Sequence, residues 1–193
     1  MASGNAGKCR EIARIFARFE ILSLAEFQGV VFPEEGDDYA QNALAKAVVV
    51  LEATGMASLA DDSGLEVDAL GGRPGPRSAR YGGPALDDRG RVERLLGELA
   101  GAAPPRTARF VCVAAAALPD GRRLAVRGIC EGEIASAPRG EGGFGYDPIF
   151  VPEGSTRTWA ELDAEEKDRR SHRGRAFRAL AALIAAGPRD GAD

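Results

Sequence analysis

The pair Asp61-Asp62 sits in the stretch LADDSGLEVDALGG. Two adjacent carboxylates at the end of a buried strand are unfavourable unless something cationic compensates them. A divalent metal does this, and carboxylate oxygens suit Mg²⁺. A second acidic source lies in Pro33-Glu34-Glu35-Gly36. If these acids converge, they could hold Mg²⁺ on a polyphosphate and activate water. The same stretch also fits a turn in which aspartate caps local N–H groups.

Three further segments carry residues of chemical interest. Ser3-Gly4-Asn5-Ala6-Gly7-Lys8 precedes an apolar-periodic stretch. It is not a Walker A loop, which needs four residues between its glycines and a Ser or Thr after the lysine; here two residues separate Gly4 and Gly7, and Cys9 follows Lys8. The physics can still be similar, because small residues let backbone N–H groups approach an anion at a helix N-terminus and Lys8 adds a cation. A glycine-rich turn with a solvated lysine fits equally. In PRGEGGFGYDPIF, glycines surround Phe144, Gly145, Tyr146 and Asp147, a loop able to stack an aromatic on a base, or simply to pack two aromatics. In EEKDRRSHRGRAF, Lys167, His172 and Arg173 cluster at a helix start, which also reads as a solvated charged face. Each segment is ambiguous alone. Together they supply phosphate donors, metal acids and a base-sized pocket, the parts of a nucleoside triphosphate site.

Composition sharpens this. Of 25 Lys+Arg only Lys8, Lys46 and Lys167 are lysine, which leaves 22 arginines. Arginine is a planar fork and lysine a freely rotating point charge, so the three lysines mark candidate places where the fork does not fit. The single histidine, His172, raises the same question. A length of 193 residues suits one domain, 1–193, with room for a real core. The net charge of −4 argues against a nucleic-acid or membrane surface. Cys9, Cys112 and Cys130 match no zinc or disulfide spacing and read as reduced thiols. With no signal-peptide pattern and no membrane span, a cytoplasmic location is expected.

Elements must position these residues. The spacing of Ile12, Ile15, Phe16 and Phe19 predicts a helix beginning near Lys8. Glu20 to Phe27 is short and apolar and suggests a strand. Asp37 or Asp38 can cap a helix whose stripe is Tyr39, Ala43, Leu44, Ala47, Val50 and Leu51 and which stops at Gly55. Asn42 and Lys46, four apart, share one of its faces. Met56–Ala60 reads as a strand ending at the acid pair, with a further extended piece over Leu65, Val67 and Ala69. A Gly/Pro-rich loop follows, then a helix capped by Asp87 with Val92, Leu95, Leu96 and Leu99 inward. Thr107–Leu118 and Arg123–Ile134 form a hairpin about Pro119-Asp120-Gly121. Ile149–Val151 is a late strand, Asp163 with Glu166 a capping box, and Ser171 a cap for a last helix burying Phe177, Leu180, Leu183 and Ile184. That helix stops at Gly187-Pro188, with 187–193 frayed. The class is α/β with a mixed β-sheet flanked by helices.

The five ordered motifs resemble those of the inosine triphosphate pyrophosphatase family, the non-standard purine nucleoside triphosphate pyrophosphatases. SGNAGK resembles its phosphate loop, YAQNALAKA its Asn-Ala helix, and LADDSGLEVDALGGRPGPRSARYGG its central signature. GEGGFGYDPIFVPEG and TWAELDAEEKDRRSHRGRA complete the set, so the match runs from Ser3 to about Leu180. The resemblance implies an elongated fold of two lobes with a central active-site cleft, and a homodimer. It implies that Ser3 to Lys8 and Lys46 contact the triphosphate, with Ser63 a further substrate contact. Asp62 would be general base and metal ligand, and Glu34 the second Mg²⁺ ligand with Glu35 the runner-up. Phe144, Gly145, Tyr146, Asp147, Lys167, His172 and Arg173 would bind the nucleoside. The implied reaction is Mg²⁺-dependent hydrolysis of dITP, ITP and XTP to the monophosphate and pyrophosphate, which cleanses the nucleotide pool. Donors aimed at a 6-oxo group would reject adenine.

The sequence departs from the family in three places. Only Met1 and Ala2 precede Ser3, where the family has a short strand, so the loop is expected to be less anchored or the start to be misassigned. Gln41 replaces a glutamate, and Trp159 a commoner phenylalanine. The rival readings are a Maf-like pyrophosphatase of pyrimidine or modified nucleotides, and a nucleotide-binding module impaired in catalysis. The SHR and FGYD motifs speak against the first.

Overall fold

The computed structural model describes residues 1–2, 6–16, 20–27 and 29–187. Ser3, Gly4, Asn5 and Phe19 lie outside the described residues, as do 188–193.

Local side-chain hydrogen bonds set most helix boundaries. α1 (Ala6–Ile15) opens the chain's helical content. α2 (Tyr39–Thr54) begins where the Asp38 carboxylate accepts the N–H groups of Ala40 (2.7 Å) and Gln41 (3.0 Å). It ends at Gly55, whose left-handed backbone (φ 68°) lets its N–H reach the Leu51 carbonyl at 2.8 Å. Asp87 caps α3 (Asp88–Glu98) through the Gly90 N–H, and Asp163 caps α4 (Ala164–Arg170) through the Glu166 N–H. α5 is His172–Ala185. The strand expected within Glu20–Phe27 is instead a 3-10 turn, Leu24–Glu26. There the Glu26 carboxylate takes the Ser23 N–H at 2.6 Å, a local bond that competes with a strand ladder.

Five strands are described: β1 (Ser58–Val67), β2 (Pro74–Gly75), β3 (Thr107–Ala117), β4 (Arg123–Ile134) and β5 (Phe150–Pro152). They form one antiparallel sheet in the order β2-β1-β3-β4-β5. Leu65 pairs with Gly75 at one edge and Gly132 with Pro152 at the other. A tight turn closes the β3–β4 hairpin, with the Leu118 N–H on the Arg122 carbonyl at 3.0 Å. The two extended pieces read on either side of Asp61-Asp62 are one strand, so the acid pair lies within β1 and not at its end. The reading of this stretch as an aspartate-capped turn falls with it. Ala2 is buried and donates its N–H to the Leu59 carbonyl at 2.7 Å, which ties it to β1, while the Met1 amino group donates to the Leu22 carbonyl at 2.8 Å.

The chain divides into two compact units. One comprises 1–62, 112–128 and 173–193, the other 63–111 and 129–172. In the first, β3 is covered on both faces, and its alternation sorts the core. Val113, Ala115 and Ala117 face α2, packing with Ala43, Ala47, Val50 and Leu51. Cys112, Ala114, Ala116 and Leu118 face α1 and α5, packing with Ile12, Phe16, Ala176, Phe177 and Leu180. The run of alanines leaves room for helices on both sides. Leu183, expected inward, is an exposed residue of α5, while Ile184 is partly buried against the core. In the second unit, Leu65, Val67, Val92, Leu95, Leu99, Phe110, Phe150 and Trp159 form a single core.

Because Asp38 satisfies two of the N–H groups that α2 leaves open, Asp38→Ala is expected to lower stability by about 1 kcal/mol in urea unfolding. A loss under a few tenths would show that α2 is held by packing alone.

Candidate active site

The first unit gathers a charged cluster around Asp61 and Asp62. Consecutive strand residues point to opposite faces, and each acid meets a different helix. Asp61 looks toward α1 and α5. Its Oδ2 accepts Lys8 Nζ at 2.9 Å and lies 3.4 Å from Arg173 Nε. Arg173 Nη1 in turn donates to Glu11 Oε2 of α1. Asp62 looks toward α2, where its Oδ2 accepts Asn42 Nδ2 at 2.8 Å and its Oδ1 lies 3.7 Å from Lys46 Nζ. Lys46 also pairs with Glu35 at 2.7 Å. Asn42 is fixed from behind, since it accepts the Gly36 N–H (2.8 Å) and donates to the Gly36 carbonyl (3.0 Å). That brings the Glu34-Glu35 segment to the α2 N-terminus.

The two acids are driven apart electrostatically. Burial pushes both carboxyls up. At Asp61 the Lys8 ammonium and the Arg173 guanidinium outweigh burial and hold the group well below the usual carboxylate range. At Asp62 burial prevails over the Asn42 hydrogen bond and Lys46, with Glu35 adding repulsion, and the carboxyl is raised. A pair of titratable groups with opposed shifts is the arrangement that separates a permanent anion from a proton acceptor. Cys112, whose Sγ lies 3.9 Å from Asp61, is pushed far up by burial and that same carboxylate, so it is a packing thiol and no nucleophile.

The second unit holds the other predicted residues. Asp147 Oδ2 accepts both Lys167 Nζ (2.6 Å) and the Phe144 N–H (2.8 Å). The Lys167 ammonium lies 4.8 Å from the Phe144 ring centroid and 5.6 Å from that of Trp159. Trp159 stacks on His172 at 5.2 Å, and both stack on Phe110. The loop is tight: Gly143 has φ 76°, and a Cβ there would fall 2.0 Å from Asp147 Oδ2. Gly145 donates its N–H to Asp88 at 2.8 Å, at the start of α3. Tyr146 is buried, which raises its hydroxyl so that it remains a donor, here to the Ser78 carbonyl at 3.1 Å.

The first of these clusters therefore contains Lys8, Lys46, Asp62 and Arg173, and the second Phe144, Gly145, Tyr146, Asp147, Lys167 and His172. Ala6 and Gly7 open α1 beside Lys8. Ser63 follows Asp62 in β1 and is half-buried, while Glu34 is exposed and its neighbour Glu35 carries the ion pair with Lys46.

Comparison with known proteins identifies the family. The model of the Ham1 family matches residues 1–183. The chain belongs to the Ham1 family. It is 50% identical to a dITP/XTP pyrophosphatase of Thermus thermophilus, over 97% of this chain and 92% of that protein. It is 47% identical to the dITP/XTP pyrophosphatase of Streptomyces coelicolor, over 95% of each. Among solved structures, the Ham1 protein of Staphylococcus aureus superimposes with a TM-score of 0.86 at 38% identity, covering 97% of both chains.

Within this Ham1-family chain, several residues of the site carry little signal in sequence. Asp61 reads there only as half of an acid pair; strand alternation is the signal that its partner set differs from that of Asp62. Glu11 stands three residues after Lys8 on α1 and belongs to no motif. Asn42 shares the Lys46 face, but spacing alone gives it no role. The box Thr158-x-x-Glu161, in which the Thr158 N–H reaches Glu161 at 2.7 Å, is readable and fixes the turn carrying Trp159.

The opposed shifts make a stability prediction. Asp61 is depressed on folding, so its contribution is present above the ordinary value of 3.8 and is lost as pH falls below it. Asp62 is raised, so its contribution is present below 3.8 and is lost as pH rises through the folded value. At pH 7 Asp61→Asn is expected to lose about 3 kcal/mol, as when one partner of a buried pair is removed. Asp62→Asn is expected to be no less stable than wild type. Urea unfolding from about pH 3 to 8 checks both, the low end entering the window where the Asp61 contribution fades; equal losses in the two variants at pH 7 would contradict the split.

Proposed function

We propose that this chain hydrolyses non-standard purine nucleoside triphosphates, dITP, ITP and XTP, to the monophosphate and pyrophosphate. The relatives' names and the residue matches support this reading. The observation that carries it is Asp62, a carboxyl raised by burial yet set beside Lys46 and Asn42, with Lys8 and its ammonium on the neighbouring acid.

In this reading Asp62 accepts the proton of the attacking water as its oxygen bonds to the α-phosphorus. The bond from the α-phosphorus to the bridging oxygen breaks, and pyrophosphate leaves with the electron pair. Lys8 and Lys46 offset the charge that develops on it. The N-terminus of α1, with no acidic residue in its first turn, favours the phosphates as well. Asn42 holds the Asp62 carboxylate in one orientation. The Phe144–Asp147 loop with Lys167 and His172 serves the base, while Arg173 pairs with Asp61 and Glu11 in the phosphate-side cluster.

The acids also fit a divalent metal. The Lys46 ammonium, 2.7 Å from Glu35 and 3.7 Å from Asp62, marks a position where hard oxygen donors already receive a cation. Among the described residues no three His, Cys, Asp or Glu gather as a ready-made cage. Mg²⁺ takes one or two carboxylates and completes its shell with phosphate oxygens and water. Asp62 with Glu34 or Glu35 would hold it, and bound there it would neutralise phosphate charge and lower the pKa of water. A homodimer and a cytoplasmic location complete the proposal; no described helix is long and apolar enough to cross a membrane.

The test is pyrophosphate release from dITP, XTP, dATP, dGTP and dTTP, with Mg²⁺ and with EDTA. Release is expected from dITP and XTP at least about 100-fold faster than from the others, as a site built to hydrogen-bond one edge discriminates. It should stop in EDTA, and Asp62→Asn should lower kcat by about 10²–10⁴. Preference for dTTP would favour the Maf-like reading, and tight dITP binding without turnover the impaired module.

A further inference from the structure

Resting on that reading, we propose that Asp61 is a positioning residue for Lys8: an internal anion that holds the ammonium in place for the substrate's phosphates. Lys8 lies in the first turn of α1, where the helix dipole favours anions and disfavours an ammonium. Something must offset this, and the Asp61 carboxylate does so at 2.9 Å.

Burial then separates the roles within the cluster. The side chains of Asp61, Arg173 and Glu11 are 1%, 3% and 8% exposed, and that of Lys8 is 19%. Of these four groups, Lys8 is the one a soluble anion can reach. An ammonium carries three rotating N–H donors on a flexible stem, so a lysine paired with a carboxylate can also turn toward a second anion. Its rotamers are then ordered before substrate arrives, and binding bears less of that entropy.

Arg173 makes the arrangement reversible. Its guanidinium touches Asp61 and Glu11 together, so when Lys8 turns toward a phosphate the Asp61 charge keeps a cationic partner. A buried carboxylate whose only partner departed would resist the move. Arg173 in this account acts on the phosphate side through Asp61. Asp61 itself does not touch the reacting atoms, since its side chain leaves β1 on the face opposite Asp62.

Two measurements test this. First, the chain has only three lysines, so the side-chain ammonium resonances of ¹⁵N-lysine-labelled wild type can be assigned by Lys→Arg replacement. In the free protein the Lys8 ammonium should give an ordered, slowly exchanging signal, and inorganic pyrophosphate with Mg²⁺ should shift it. Asp61→Asn should abolish the Lys8 signal while leaving that of Lys167, held by Asp147, in place. A solvent-averaged Lys8 signal in wild type would overturn the proposal, whether or not the chain turns over dITP. Loss of all three signals in Asp61→Asn would mean collapse of the fold, and the wild-type signal would then decide. Second, pyrophosphate affinity is measured by calorimetry for Asp61→Asn, Lys8→Met and the double variant. Each single variant is expected to weaken binding about tenfold, and the double no more than Lys8→Met alone. Additive losses, or wild-type affinity in Asp61→Asn, would show that Asp61 does not work through Lys8.

Discussion

Side chains on consecutive residues of a strand leave on opposite faces, and the charged cluster of the first unit is built on that constraint. Asp61 and Asp62 are neighbours in sequence, yet one meets Lys8 and Arg173 and the other Asn42 and Lys46. Had they shared a face, two like charges would have competed for the same cations and both carboxyls would have been harder to ionise. Separated, one is held as a fixed anion and the other is left with an elevated affinity for protons. The chemistry assigned to Asp62 depends on the partners that Asp61 does not take.

The rest of the first unit serves this separation. β3 is apolar on both faces, and its alanines admit α2 on one side and α1 with α5 on the other. Each layer then brings its own lysine to β1. Asp38 and Gly55 fix where α2 begins and ends, which sets the heights of Asn42 and Lys46 along the strand. A raised carboxyl in such a place stores free energy that folding must supply from packing elsewhere, a trade between stability and activity found widely at catalytic sites. The second unit follows a different logic. Its polar loop is held by one carboxylate, Asp147, that ties Lys167 to the Phe144 backbone, and by the close approach that only glycine allows at 143.

Much of this is legible in the residues. Aspartates at 38, 87 and 163 announce helix starts because capping is a local interaction between one side chain and the next turn. The scarcity of lysine points to Lys8, Lys46 and Lys167, and each lies within ion-pair distance of a buried carboxylate, Asp61, Asp62 and Asp147 in turn. What the residues do not disclose depends on tertiary contacts. The pairing of Arg173 with Glu11 joins residues 162 apart in sequence. Arg173 and His172 look like one group because they are adjacent, yet His172 stacks on Trp159 and Phe110 while Arg173 serves Asp61. The 3-10 turn at Leu24–Glu26 is hidden because a short apolar run carries no period long enough to decide its state. The continuity of β1 is hidden because two acids in a strand read as an interruption until their separate partners are known.

The most direct test is the titration of the two carboxyl carbons by NMR in the metal-free, substrate-free protein, with ¹³C-aspartate labelling and assignment by single Asp→Asn replacement. Asp62 should titrate above the ordinary aspartate range, while Asp61 should remain ionised to the lowest pH at which the chain stays folded. Titration of both at an ordinary value, or in the reverse order, would contradict the assignment of Asp61 as the fixed anion and Asp62 as the proton acceptor.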